Sequence, residues 1–259
     1  EAPAAPAPID FPLYSPEKVK SAEFITYLNF LLGQVAPHPS EAELLEKFAK
    51  IGIGPDKPFD IEKIDPEINK AIEDGIASAL VKIETKTGEL GEINNGWMQS
   101  TGAFGTREDM QGKYLTRAAA AMFGLWGNTL EEAFYPETSV DSDSEALDCS
   151  KHNYVLHFDA DEIPPVKAFW SLSMYKLPEQ LFIENEINRY VISSVTEGLK
   201  YEEDGSLNVC IQKENPGGEM TSNWLPAHDG LFSLQARMYW PDPVALDPLY
   251  VMPTIEKTE

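Results

Sequence analysis

Hydrophobic positions recur with a helical period in the first half of the chain and with a period of two in the second. Phe24, Tyr27, Leu28, Leu31, Leu32 and Val35 fall at i, i+3, i+4, i+7, i+8 and i+11, which lines one face of a helix. Ser15-Pro16-Glu17 supplies its N-cap, first-turn proline and first-turn acid, and Pro37 forbids its continuation. Ser40-Glu41-Ala42-Glu43 is a capping box ahead of Leu44, Leu45 and Phe48, with Gly52 as the stop. Asp65-Pro66-Glu67 opens a third helix that runs through Ile68, Ile72, Ile76, Leu80 and Ile83 to Gly88. A fourth, from about Gln111, carries Leu115, Ala118, Ala119, Met122 and Phe123 and ends at Gly124; Thr129 and Glu132 cap a short fifth.

After Tyr135-Pro136 the apolar residues alternate. His152, Tyr154, Leu156 and Phe158 share one face of a strand, and Ala168, Trp170, Leu172 and Met174 share one face of the next. Asn188 to Val195 is strand-like, and Asp204-Gly205 is a hairpin signal ahead of Leu207-Asn208-Val209. Phe232, Leu234, Ala236, Met238 and Trp240 then alternate with Ser233, Gln235, Arg237 and Tyr239. Short strands separated by Pro and Gly predict an antiparallel β-sandwich of jelly-roll type. The expected class is therefore α+β: a Pro/Ala-rich linker over 1–14, a helical connector over 15–135 and the sandwich over 136–259. The opening Glu1-Ala2-Pro3-Ala4-Ala5-Pro6-Ala7-Pro8 has nothing to bury and reads as a semi-rigid spacer.

Composition narrows the partners. Twenty Lys and Arg against 43 Asp and Glu leave a net charge of −23, which repels an anionic backbone, so no nucleic acid is expected. The longest strongly apolar stretch, Ala118 to Trp126, is half what a bilayer needs, so no membrane span is expected either.

The strong catalytic patterns are missing from the sequence, including G-x-S-x-G, the P-loop, the dinucleotide fingerprint and H-E-x-x-H. No cofactor is implied. His152 and His157 are five apart on a strand and so face opposite ways, which denies them a shared metal. Asp141, Asp143 and Glu145 are spaced like the start of a calcium loop, but Ala146 and His152 stand where that loop needs glycine and an acid. A solvated acidic turn is the expectation, and no metal is assigned. Cys149 and Cys210 form no C-x-x-C and read either as two buried thiols or as one disulfide. Of the four arginines, Arg189 and Arg237 lie in the β half beside aromatics, in Asn188-Arg189-Tyr190 and Arg237-Met238-Tyr239-Trp240. Arg189, Arg237, Tyr239 and Trp224 are the candidate ligand-binding residues, because a guanidinium fork beside aromatic surface holds carboxylates, phosphates or sugar hydroxyls.

These same residues carry a resemblance. Phe169-Trp170-Ser171-Leu172-Ser173-Met174-Tyr175, Asn188-Arg189-Tyr190, Gly198-Leu199-Lys200-Tyr201, Asn223-Trp224-Leu225-Pro226-Ala227 and Arg237-Met238-Tyr239-Trp240-Pro241, in that order, resemble domain-of-unknown-function family 1214 over roughly residues 145–250. Residues 1–140 are similar to the connector that, in longer members, follows a family 1254 domain. The resemblance implies a jelly-roll-like sandwich packed on helices, in bacterial proteins that are often exported, and carries over no catalytic residue. It also implies that Cys149 and Cys210 stand where relatives lack cysteine, which favours their pairing and a periplasmic or secreted location.

Two functions follow as expectations. One is an exported binding or assembly module whose partners are the upstream family-1254-like domain or a second copy, with a carbohydrate or small acidic ligand. The other is a hydrolase acting on an envelope or extracellular polymer. A cavity holding a perturbed carboxylate or histidine beside Arg189 or Arg237 would favour the enzyme.

Overall fold

The computed structural model describes residues 8–246 and 249–258. Residues 1–7 of the expected linker lie outside the described residues, and 8–14 carry neither helix nor strand. Two compact units divide the chain, one ending at Glu84 and the other beginning at Thr85.

The first unit holds α1 (Phe24–Gln34), α2 (Ala42–Phe48) and most of α3 (Pro66–Thr87). Capping chemistry set these boundaries. Asp65 accepts from Glu67 N at 2.9 Å and Ile68 N at 3.4 Å to start α3, and Gly52, at φ +88, ends the turn that follows α2. The first helix begins later than its expected cap. Ser15 Oγ instead accepts from Lys18 N at 3.2 Å, at the head of a 3-10 turn over Lys18–Lys20. Its buried face also differs from the expected stripe: Ile25 and Asn29 are inside, while Phe24, Leu31 and Val35 are exposed. Asn29 explains the rotation. Its Nδ2 donates to Gly52 O and Lys57 O, both at 2.9 Å, and its Oδ1 accepts from Gly54 N at 2.8 Å. Such a fully bonded amide is stable out of water, and it draws its own face inward.

The second unit contains β1 (Glu92–Asn94), β2 (Trp97–Gln99), α4 (Tyr114–Phe123), β3 (Ala133–Phe134), β4 (Glu137–Thr138), β5 (Asn153–Phe158), β6 (Val166–Lys176), β7 (Val191–Ser193), β8 (Leu207–Gln212), β9 (Trp224–Pro226), β10 (Phe232–Pro241) and β11 (Ile255–Thr258). Three of these strands, β1 to β3, fall inside the span read as helical. Asn95 and Gly96, at φ +53 and +78, make the two-residue turn that joins β1 to β2. Thr129 to Glu132 is a single turn leading into β3, not a fifth helix.

The seven-stranded sheet runs β1-β2-β4-β10-β6-β7, with β3 also paired to β10, and the four-stranded sheet runs β11-β5-β8-β9. Among the described residues, all strand pairs are antiparallel except β8 with β9. This is a mixed helix and antiparallel-rich sheet structure, α+β in class, and the sheets are open. Alternation is as the sequence predicts for Tyr154, Leu156 and Phe158 of β5 and for Phe232, Leu234, Ala236 and Met238 of β10, which are buried, but it breaks at Trp240, which is exposed at φ +51 where the register shifts between Tyr239 and Pro241. The sheets meet through Tyr154 against Phe232 at 5.7 Å and Phe158 against Trp170 at 5.9 Å. Each such side chain contributes about 1.5–3 kcal/mol by leaving water. Among the described residues, no helix is long and apolar enough to cross a membrane.

Candidate functional site

Strand β10 positions the site. Its odd-numbered residues point away from the core, and register places Ser233 opposite Tyr175, Gln235 opposite Ser173, Arg237 opposite Ser171 and Tyr239 opposite Phe169. On its other edge β4 sets Glu137 opposite Gln235. Glu137 and Arg237 are therefore diagonal neighbours on one face of the sheet.

Over this face lies a cavity of about 390 Å³, lined by Glu137, Tyr175, Ser233, Gln235, Arg237 and Tyr239 on the sheet side and by Phe104, Phe123 to Asn128 and Tyr135 on the other. The wall is anchored through Asn128, whose N and Nδ2 donate to the Tyr135 hydroxyl at 3.2 and 2.8 Å. Gly127 is required there, because a Cβ at that position would stand 2.4 Å from the Phe104 ring. Trp126, at φ +60, is held in left-handed backbone with its indole in solvent.

Arg237 is oriented before any ligand arrives. Its Nη1 donates to Ser173 Oγ and its Nη2 to the Tyr175 hydroxyl, each at 3.0 Å, and its guanidinium carbon lies 5.9 Å from the Tyr175 ring centroid. Two of the five guanidinium N–H groups are thus engaged. Glu137 is half-buried in the same cavity and makes no ion pair with Arg237. Burial pushes its carboxyl above the usual range, against the opposing pull of the Arg237 charge and a hydrogen bond from Ser233. Tyr239 is fixed by stacking on Phe169 at 4.5 Å.

The four candidate residues separate into two places. Arg237 and Tyr239 line the cavity, whereas Arg189 does not: its Nη1 donates to the carbonyls of Thr221, Ser222 and Trp224 at 2.6, 3.3 and 2.9 Å. That makes Arg189 a clasp on the 3-10 turn Gly218–Asn223. Trp224 is buried, with its Nε1 donating to Gln212 O at 2.8 Å. The shared Arg189–Arg237 site expected from the sequence does not form, because the carbonyls ending that turn already use the first guanidinium. Glu137, Tyr175 and Gln235 were missed. Gln235 alternates visibly with the core residues of β10, but β4 spans only two residues and has no period to read.

The remaining chemistry is structural. Lys257 Nζ lies 3.1, 2.9 and 2.8 Å from carboxylate oxygens of Asp141, Asp143 and Glu145, so an ammonium occupies the centre of the acidic turn. Cys149 and Cys210 are both free. Cys210 alternates with the core-facing Val209 and Ile211 and so points out of the four-stranded sheet, while Cys149 is in the core. The expected disulfide is absent for that reason. Burial pushes the Cys149 thiol up to about 12, which makes it inert at neutral pH. His157 contacts Asn208 Oδ1 at 2.7 Å and Asp159 Oδ1 at 3.1 Å, an outward-facing polar link. A larger depression of about 790 Å³ beside β1 contains Lys86 and Glu89 as a mutual pair at 3.3 Å and, among the described residues, no arginine or aromatic side chain.

Comparison with known proteins agrees with this architecture. Residues 132–243, which contain β3 to β10, match the family described as Protein of unknown function (DUF1214). The family 1254 domain is not part of that match. The crystal structure of the VPA0106 protein from Vibrio parahaemolyticus superposes with a TM-score of 0.67 at 25% identity, over 99% of this chain and 60% of that one. This chain thus spans about 60% of that relative's length. An uncharacterised protein from Burkholderia cenocepacia aligns at 12% identity with a TM-score of 0.35, over 90% of this chain and 52% of that one. No curated protein matches the chain.

Proposed function

We propose that the unit from Thr85 onward is a ligand-binding module, a sandwich of jelly-roll type whose cavity on the outer face of the seven-stranded sheet takes a carbohydrate or small acidic ligand. The observation that carries this reading is the Arg237 guanidinium, oriented by Ser173 and Tyr175 in a cavity that also holds an acid to which it is not paired. Pre-oriented charge costs little to engage, and a cavity of this size is in the usual range for small ligands. The raised Glu137 carboxyl is the one feature that favours a hydrolase. Glycoside hydrolysis usually needs two carboxylates several ångströms apart, and Glu137 is the only acid among the described lining residues, so binding is the stronger reading.

Assembly is assigned to the helical unit, whose exposed Phe24, Leu31 and Val35 suit an upstream domain or a second copy. The periplasmic or secreted location is supported by the acid excess and no longer by the cysteines. Thermal-shift titration with a panel of neutral sugars, sugar acids and small carboxylates tests the site. At least one compound should stabilise the protein and fail to stabilise Arg237→Met; equal shifts in both proteins across the panel would overturn the reading.

A further inference from the structure

We propose that the ligand of the outer-face cavity is a hydroxylated carboxylic acid of the sugar-acid type, bound as its carboxylate to Arg237 together with a proton that resides on Glu137. This deepens the binding reading above and rests on it.

The ligand's charge follows from the cations available. Arg237 is the one cationic group among the described lining residues, and three of its five N–H groups are left after its bonds to Ser173 and Tyr175. A planar fork with spare donors matches a carboxylate, which it can hold by two parallel hydrogen bonds. Neutral hydrogen-bonding groups surround it. Gln235 Oε1 and the Tyr239 hydroxyl have no hydrogen-bond partner among the described residues, and the Tyr135 hydroxyl, which accepts from Asn128, still has its own proton to give. One fork encircled by uncharged donors and acceptors suits a molecule with one carboxylate and several hydroxyls. The Phe104 and Phe123 side chains in the opposite wall offer an apolar face to its carbon skeleton.

The proton follows from register. Glu137 pairs with Gln235, and Arg237 is two residues further on the same face, so a carboxylate held by Arg237 lies beside the Glu137 carboxyl. Two ionised carboxylates cannot share such a site at small cost, whereas a carboxyl–carboxylate pair sharing one proton is stable. The charged and titratable groups facing Glu137 are Arg237 and Tyr239 from β10, Tyr175 from β6, and Tyr135; the wall from Phe123 to Asn128 adds none, and β2 places Met98 opposite. Glu137 is the one carboxyl among these groups and so takes up the proton, and burial has already moved it in the favourable direction. The bound anion raises it further. Affinity is then greatest below the free-site pKa and falls, by up to about tenfold per pH unit, as pH rises from that value towards the bound-state one.

Isothermal titration with D-glucuronate and with D-glucose, at pH 5 and pH 8 and in buffers of different ionisation enthalpy, tests the proposal on wild type, Glu137→Gln and Arg237→Met. Glucuronate should bind more tightly at pH 5 than at pH 8, and over the range in which affinity falls its binding should take up as much as one proton per site. The uptake and the pH dependence should vanish in Glu137→Gln, which mimics the protonated acid, and Arg237→Met should lose glucuronate. Far-ultraviolet circular dichroism confirms that each variant is folded. Proton uptake that survives in Glu137→Gln, pH-independent glucuronate affinity, or no binding of glucuronate overturns the inference. If glucose binds as well as glucuronate and Arg237→Met abolishes both, the cavity remains the binding site and only the sugar-acid assignment fails. Binding that no cavity substitution alters overturns both.

Discussion

The two faces of β10 are built from alternate residues of one segment and do opposite things. Phe232, Leu234, Ala236 and Met238 are buried against the four-stranded sheet, while Ser233, Gln235, Arg237 and Tyr239 floor the cavity. A one-residue slip in register would exchange the two sets, so the core that fixes the register also fixes the geometry of the site. Stability and recognition are thus written in the same ten residues but in different positions, and substitutions should separate them.

The sharpest break comes from the inner face. Leu234→Ala, at a fully buried position between Met174 and Thr138, should cost about 2–5 kcal/mol in a urea unfolding curve. Next comes the comparison of the two arginines. Arg189→Met strips a charged donor from three backbone carbonyls and should cost about 1–3 kcal/mol while leaving ligand affinity unchanged. Arg237→Lys should do the reverse. It keeps the charge but loses the fork, so stability should change by less than about 1 kcal/mol while affinity falls by about an order of magnitude in the titrations above. The smallest effect belongs to Glu137→Gln without ligand. Because burial raises the Glu137 carboxyl in the folded state, its favourable contribution is complete below the ordinary carboxylate pKa and is lost as pH rises through the raised one. The variant should therefore melt slightly above wild type at pH 8 and level with it at pH 4; a lower melting temperature at pH 8 would show that the ionised carboxylate is stabilised in place.

How far this was readable in advance depended on whether each element had room to show its pattern. The ten residues of β10 and the six of β5 display a full alternation, and the caps at Asp65 and Gly52 bracket their helices, so these were legible. The strands β1 to β4 span two or three residues each and are too short for any period, which is why the boundary of the sheet was set too late in the chain. Asn95-Gly96 was the one local signal there. Part of the candidate site was visible as Arg237 and Tyr239, since β10 announced which residues face outward. The role of Arg189 was not, because nothing in its own neighbourhood shows that carbonyls some thirty residues later converge on it. Apolar counting also misled in α1, where a single asparagine with three hydrogen bonds outweighed a stripe of leucines.

Trp126 gives the cavity a signal of its own. Of the five tryptophans, Trp97, Trp170 and Trp224 are at most 7% exposed, whereas Trp126 is 90% exposed at the cavity wall and Trp240 60% exposed beneath the Lys167 ammonium. The intrinsic fluorescence should therefore divide into a blue-emitting class that iodide cannot reach and a red-emitting class that it quenches. Because Trp126 belongs to the segment that lines the same cavity as Arg237, occupation of the cavity should move its emission to shorter wavelength and lower the quenchable fraction, and Trp126→Phe should leave the protein optically silent to its ligand.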